Sequence, residues 1–203
     1  MRRILGLDPG LQTTGYGVLD VTEAGPRVAE AGVIRSAKDG RDTSDMAPRV
    51  LALYDGLVEV LDQWKPKVLV VEQLYSHYEH PRTAILMGHA RGCFFLAAAQ
   101  RNIPAVSYAP TRVKKTITGH GRASKEQMQN AIMRELNLAK LPEPHDVADA
   151  LALALCHYYL NTSMLRGPRG ATFTGINMKA LLGTDDDADD EESDEHRTQD
   201  DAA

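Results

Sequence analysis

Cysteine is scarce in this 203-residue chain: there are two, Cys93 and Cys156, both in apolar, helix-like surroundings. Two isolated thiols exclude a disulfide framework, leave too little sulfur for a cysteine-built zinc site, and fit a reduced cytosolic protein. No apolar run is long enough to span a bilayer. Nor is a secretory leader expected, because Arg2 and Arg3 lead straight into the short strand-like run Ile4-Leu5-Gly6-Leu7. The expectation is a cytoplasmic protein with no membrane partner. Internal repeats are also lacking, which excludes a solenoid.

What is present is charge, unevenly placed. The formal net charge is -5, from 23 basic and 28 acidic residues. Residues 184–203, "TDDDADDEESDEHRTQDDAA", carry eleven of those acids and a single arginine, so residues 1–183 hold a small excess of base. A tail so charged, with no periodicity and almost nothing to bury, is expected to be disordered. It serves solubility, or competes with an anionic ligand for the basic remainder. The stretch 161–183, which includes "GPRGATFTG", is read as a loosely structured linker. The folded domain is placed at residues 1–160.

Within that domain the hydrophobic pattern has a definite order. Residues 3–8, 14–22 and 26–36 read as three consecutive strands. An amphipathic helix follows over 47–66, with Val50, Leu53, Leu57 and Leu61 at helical spacing and Pro66 ending it. "KVLVVEQ" is a continuous apolar run suited to a central strand covered on both faces. An apolar helix over 82–102, a fifth strand at 105–110, a helix capped by Ser124 and a last helix from His145 complete the order β-β-β-α-β-α-β-α-α. This predicts an α/β fold, one five-stranded mixed sheet with helices on both faces.

Two acids are out of place in that pattern. Asp8 ends the strand "RILGL" and Glu72 ends "KVLVV". Asp8-Pro9-Gly10 is good turn chemistry, and taken alone that is a sufficient explanation. Two central strands each ending in an acid instead place the pair side by side. Asp146 and Asp149, three apart at the start of the last helix, share one face. They complement the helix dipole, yet the strongly apolar residues after Asp149 turn that face inward, where an unpartnered acid is costly. Four carboxylates without sulfur suit Mg²⁺ or Mn²⁺, and four suit two ions about 4 Å apart across a phosphodiester.

The segments "GLDPGLQTTGYGV", "VVEQLY", "GHARG", "TRVKKTITGHGRASKEQM" and "HDVADALALA" occur in order over about residues 3–160. Together they resemble the RuvC-type Holliday-junction resolvases, which have the RNase H-like fold. The resemblance implies that Asp8, Glu72, Asp146 and Asp149 are the catalytic, metal-holding acids. It places Lys114 and Lys125 near the scissile phosphate, and Tyr75 where the family carries an aromatic wedge for the junction crossover. It further implies a homodimer acting on four-way DNA junctions alongside a branch-migration motor. The implied reaction is metal-assisted hydrolysis with two ions per site, leaving 5′-phosphate and 3′-hydroxyl ends in homologous recombination and repair.

Other cations extend this reading. Lys114, Lys115, Arg122 and Lys125 fall in one loop-rich stretch and are read as phosphate contacts, with Arg82 and Arg91 continuing the track. His145 either supports the metal site or simply begins the last helix. The residues admit three rival readings. A sugar-kinase or actin-like ATPase would require a second similar domain and a glycine-rich adenosine-binding segment. A non-catalytic junction-binding module would be expected to have lost one or more of the acids. An RNase H-like nuclease for another structured nucleic acid is disfavoured by Tyr75 and the lysine pattern.

Overall fold

The computed structural model describes residues 2–36, 45–74 and 81–165, and the side chains of these except 81–83 and 162–165. Strand β1 (Arg2–Asp8) pairs antiparallel with β2 (Thr13–Thr22), which pairs antiparallel with β3 (Gly25–Arg35). On its other side β1 runs parallel to β4 (Val68–Glu72), and β4 runs parallel to β5 (Ala105–Tyr108). The sheet order is β3-β2-β1-β4-β5, so β1 and β4, the two strands that end in acids, are central neighbours.

Side-chain alternation sorts the sheet into two faces. Leu5, Leu7, Val18, Leu69 and Val71 pack against helices α1 (Met46–Trp64) and α2 (Pro81–Ala99). Ile4, Leu19, Val68 and Val70 pack against α3 (Pro110–Thr118), α4 (Lys125–Glu135) and α5 (His145–Leu165). Val68 to Val71 are all buried, which explains why β4 reads as an unbroken apolar run.

The helix ends follow local chemistry. The Asp45 side chain accepts from the Ala47 amide to start α1, and Lys65, at φ 48°, closes it before Pro66. Ser124 and Gln127 form a reciprocal capping box at α4, as the sequence predicts for Ser124. Far from its start, α5 is tied to β5. The Tyr108 hydroxyl and His157 Nδ1 lie 2.9 Å apart, and Asn161 Nδ2 reaches the same hydroxyl at 3.2 Å. Burial pushes His157 down to about 4, so this ring is neutral at physiological pH.

The α/β class, the mixed five-stranded sheet and the helices on both faces stand as predicted. The element order requires one correction: it contains an additional helix, α3, inside the stretch read as loop-rich. Pro110 supplies a first-turn residue preset for a helix, and Gly119, at φ 89°, ends it. Thr111, Thr116 and Thr118 are weak helix formers, and the apolar stripe is limited to buried Val113 and half-buried Ile117, so the sequence signal is short. Helix α5 also runs on to Leu165, since no breaker intervenes before Gly167-Pro168.

Candidate active site

Parallel pairing of Leu7 with Val71 puts the next residues, Asp8 and Glu72, side by side at the C-terminal ends of β1 and β4. By alternation from Ile4 and Val68 both side chains emerge on the α5 face. Across the other edge of β1, Asp8 pairs with Gly15 of β2.

That glycine brings the helix in. A Cβ on Gly15 would overlap the Asp146 carbonyl oxygen and come within 2.8 Å of the Asp146 Cβ. A Cβ on Gly6 would overlap the Ala150 carbonyl and lie 2.9 Å from the Ala154 amide nitrogen. Gly6 and Gly17 are themselves cross-strand partners, so the sheet offers a floor without side chains beneath one stretch of α5. Helix α5 rests directly on it, and Asp146 stands over the residue paired with Asp8. Asp149, one turn on, faces the same strand ends.

The electrostatics follow the same grouping. Burial raises the Asp8 carboxyl to about 7, and Glu72, Asp149 and Asp146 add to the rise, while Lys125 opposes it. Glu72 is raised by burial and by Asp149, against Arg91 and Lys114. Asp149 is raised by burial; Lys125 opposes this, Asp146 reinforces it, and His145 and Lys114 oppose it. Four acids therefore share one field with two lysines only partly offsetting it. All the donors are hard oxygens, so the set fits a divalent cation such as Mg²⁺ or Mn²⁺. Among the described residues no group of three or more acidic, histidine or cysteine side chains is already closed on a single ion position.

The direction of the Asp8 shift fixes the sign of a pH dependence. A carboxyl whose folded value is raised stabilises the fold below its ordinary range and loses that contribution as pH rises toward 7. Metal-free wild type should therefore lose Tm relative to Asp8→Asn between pH 5 and 8. At pH 8 the variant should be the more stable by several degrees, read by thermal melts in chelator. Parallel melting curves for the two proteins would remove the repulsion argued here.

The predicted basic residues divide. Lys114 on α3 and Lys125 on α4 are the lysines felt by the acids. Lys115 and Arg122 are exposed and are absent from those couplings. Arg91, read from the sequence as a phosphate contact, is engaged within the fold. Its guanidinium donates to the Glu72 backbone carbonyl and, at 2.7 Å, to Ser107 Oγ, and it lies 4.9 Å from the Phe95 ring centroid. The signal was present: Arg91 stands three residues before Phe94 and seven before Ala98, both fully buried, so it belongs to the inward stripe of α2. His145 begins α5, and its Nδ1 lies 2.6 Å from Gln129 Nε2 of α4. Tyr75 and the Arg82 side chain lie outside the described residues, as do the linker beyond Leu165 and the acidic tail.

Acids at adjacent strand ends of an RNase H-like sheet, backed by lysines, define a metal-dependent nuclease. The family profile for crossover junction endodeoxyribonuclease RuvC matches residues 4–157. A relative of that name from Rhodopirellula baltica is 52% identical over 160 residues, covering 77% of this chain and 86% of the relative. Another, from Hydrogenovibrio crunogenus, is 39% identical and covers 77% of this chain and 87% of its own length. Among solved structures, Thermus thermophilus RuvC matches with a TM-score of 0.70 at 30% identity, over 80% of this chain and 96% of that one. The same protein in complex with a Holliday junction substrate matches with a TM-score of 0.71 at 29% identity, over 80% of this chain and 97% of that one. The chain belongs to the RuvC family of crossover junction endodeoxyribonucleases.

Proposed function

We propose that this protein resolves four-way DNA junctions by paired, metal-dependent phosphodiester hydrolysis, in homologous recombination and repair. The observation carrying the reading is the convergence of Asp8, Glu72, Asp146 and Asp149 on one edge of the sheet, with Lys114 and Lys125 beside them. The solved complex of a family member with its junction supports the choice of substrate.

Asp8 occupies the centre, felt by all three other acids, and Glu72, Asp146 and Asp149 complete the ligand set for two Mg²⁺ or Mn²⁺ ions. Bound ions of this kind supply a water of lowered pKa and neutralise charge at the phosphate. Lys114 and Lys125 hold the substrate phosphates and offset the charge that develops during in-line displacement. Lys115 and Arg122, exposed nearby, track the backbone without reading sequence. Tyr75 and Arg82 are assigned the crossover wedge and a flanking phosphate contact from the sequence. The products are a 5′-phosphate and a 3′-hydroxyl, which a ligase can seal.

A four-way junction presents two equivalent strands, which calls for a two-fold dimer. Helix α2 supports that reading. Ile85 and Leu96 are 62% and 55% exposed, and between them lie Gly88 and Gly92, above which a Cβ would meet nothing within 4 Å. This outward stripe lets a second α2 approach closely. Leu96→Asp should shift the protein toward monomer in analytical ultracentrifugation and remove the pairing of the two cuts. An unchanged sedimentation coefficient would place the dimer contact elsewhere. The protein is placed in the cytoplasm, working with a branch-migration motor.

The test of function is cleavage of a mobile, end-labelled four-way junction beside a linear duplex of the same sequence, with Mg²⁺, Mn²⁺ or chelator. Symmetric, ligatable nicks in the junction alone, dependent on metal, are expected. Binding without cutting in either metal would make the chain a junction-binding module. Equal cutting of both substrates would make it a nuclease for other nucleic acids.

A further inference from the structure

Glu72 presents a backbone problem that the carboxylate chemistry does not reveal. The amides of Leu69 and Gln73 turn toward β5, donating to the carbonyls of Pro104 and Tyr108, each at 2.9 Å. Glu72 lies in the alternate phase of the strand, so its backbone groups turn the other way, toward β1. In the register that pairs Leu7 with Val71, the amide that would next meet the Glu72 carbonyl belongs to residue 9. Residue 9 is proline and has no N–H. The ladder between the two acid-bearing strands therefore stops one hydrogen bond short, at the acid itself.

Arg91 supplies the missing donor. It reaches the Glu72 carbonyl from α2, on the face of the sheet opposite the carboxylates, while its second terminal nitrogen donates to Ser107 Oγ of β5 at 2.7 Å. Val71 and Ser107 are register partners, so the guanidinium bridges the ends of β4 and β5 beneath the site. Phe95 covers it at 4.9 Å from the ring centroid, and it is half-buried. A planar fork with two donors aimed at two strands suits arginine, and lysine cannot reproduce it.

We propose that Arg91 is a positioning residue for the nuclease site. It replaces the amide that Pro9 cannot offer, holds the end of β4, and sets the Glu72 carboxylate beside Asp8 while placing a positive charge behind the acid cluster. The inference rests on the metal-site reading above and deepens it. Arg91 touches neither substrate nor metal; it acts through Glu72. The sequence pattern alone makes the same residue part of a DNA track, and the two roles differ in what they disturb.

The experiment compares wild type, Arg91→Gln, Arg91→Lys and the double variant Pro9→Ala/Arg91→Gln in the full-length protein. Four readouts are taken: Tm, junction binding in Ca²⁺, Mn²⁺ binding followed by electron paramagnetic resonance, and single-turnover junction cleavage against metal concentration. Arg91→Gln should bind the junction within about twofold of wild type. It should bind Mn²⁺ about tenfold more weakly and cut about 10–100-fold more slowly, the range found for groups that orient metal ligands from behind. Arg91→Lys should recover stability but only part of the metal affinity. Pro9→Ala, which returns an amide to the ladder, should recover part of both in the double variant.

Unchanged Mn²⁺ affinity in a folded Arg91→Gln protein would overturn the proposal. So would a loss confined to junction binding, which would restore the DNA-contact role. If Arg91→Gln fails to fold, Arg91→Lys carries the test, and wild-type metal affinity in that variant overturns it. A wild-type protein that binds no Mn²⁺ would instead sink the metal-site reading, an outcome distinguishable from failure of the Arg91 inference.

Discussion

Asp8→Asn is expected to lose more than about 10³-fold of junction cleavage while binding the junction within a few-fold of wild type, since a removed ligand costs more than the 10–100-fold seen for groups behind one. The substitution is nearly isosteric, so the strand end and its pairing with Gly15 remain. It removes the negative charge at the point where the fields of Glu72, Asp149 and Asp146 meet. Lys114, Lys115, Arg122 and Lys125, the proposed phosphate contacts, are untouched, and contacts of that type dominate affinity for DNA. A filter-binding or gel-shift titration in Ca²⁺, beside a cleavage assay in Mg²⁺ and Mn²⁺, separates the two effects. Cleavage at wild-type rate by Asp8→Asn would mean that the catalytic ion sits elsewhere. Equal loss of binding and cleavage would mean that Asp8 supports the DNA surface rather than the chemistry.

Gly15→Ala and Gly6→Ala carry the second large effect, and they act through the helix. In both cases the added methyl overlaps a carbonyl oxygen of α5, backbone that cannot step aside like the end of a flexible side chain. Overpacking at a rigid contact costs typically 1–3 kcal/mol and more where nothing can yield. Gly6→Ala should therefore lower Tm by roughly 5–10 °C, at 2–4 °C per kcal/mol for a chain of this size. Gly15→Ala lies under Asp146 itself, and lifting that residue by about 1 Å is the kind of displacement that costs about 100-fold in rate. Junction binding should change far less. Gly121→Ala is the control, because its methyl would meet the Thr111 carbonyl at 3.4 Å, an ordinary contact. Melting curves and single-turnover rates read all three. A Gly6→Ala protein as stable as wild type would show that α5 does not lie against the sheet as described.

The acids were legible in the sequence because their positions contradict local pattern. An acid ending an apolar strand is conspicuous, and two such strands in one sheet imply neighbours. Asp146 and Asp149 were legible from their three-residue step. The glycines that seat α5 were not, although Gly6, Gly15 and Gly17 stand in plain view. A glycine in a strand marks a close approach, yet the sequence does not name what approaches. Only the sheet register shows that Gly15 and Asp8 are partners and that Asp146 occupies the space above them.

Two other features escaped for related reasons. Helix α3 carries Lys114 and Lys115 on a regular scaffold, but its apolar stripe is only Val113 and Ile117, one turn long, and is set among threonines. Arg91 was read by its charge alone, as a surface cation. Its burial follows from Phe94 and Ala98 on the same stripe, and its two acceptors come from β4 and β5, which are distant in the sequence. Long-range partners of this kind are set by topology, which composition does not carry. Gly32 and Gly56 illustrate the same limit on the opposite face, where Tyr16 and Ile34 fill the space their side chains would take.

The central claim is that two strand ends and one helix start converge to hold metal. Crystals of the wild-type protein soaked in Mn²⁺, measured at the manganese absorption edge, test it most directly. Anomalous peaks bounded by Asp8, Glu72, Asp146 and Asp149, and missing from Asp8→Asn crystals treated identically, are the predicted result. Peaks only at other side chains, or equal peaks in both proteins, would contradict it.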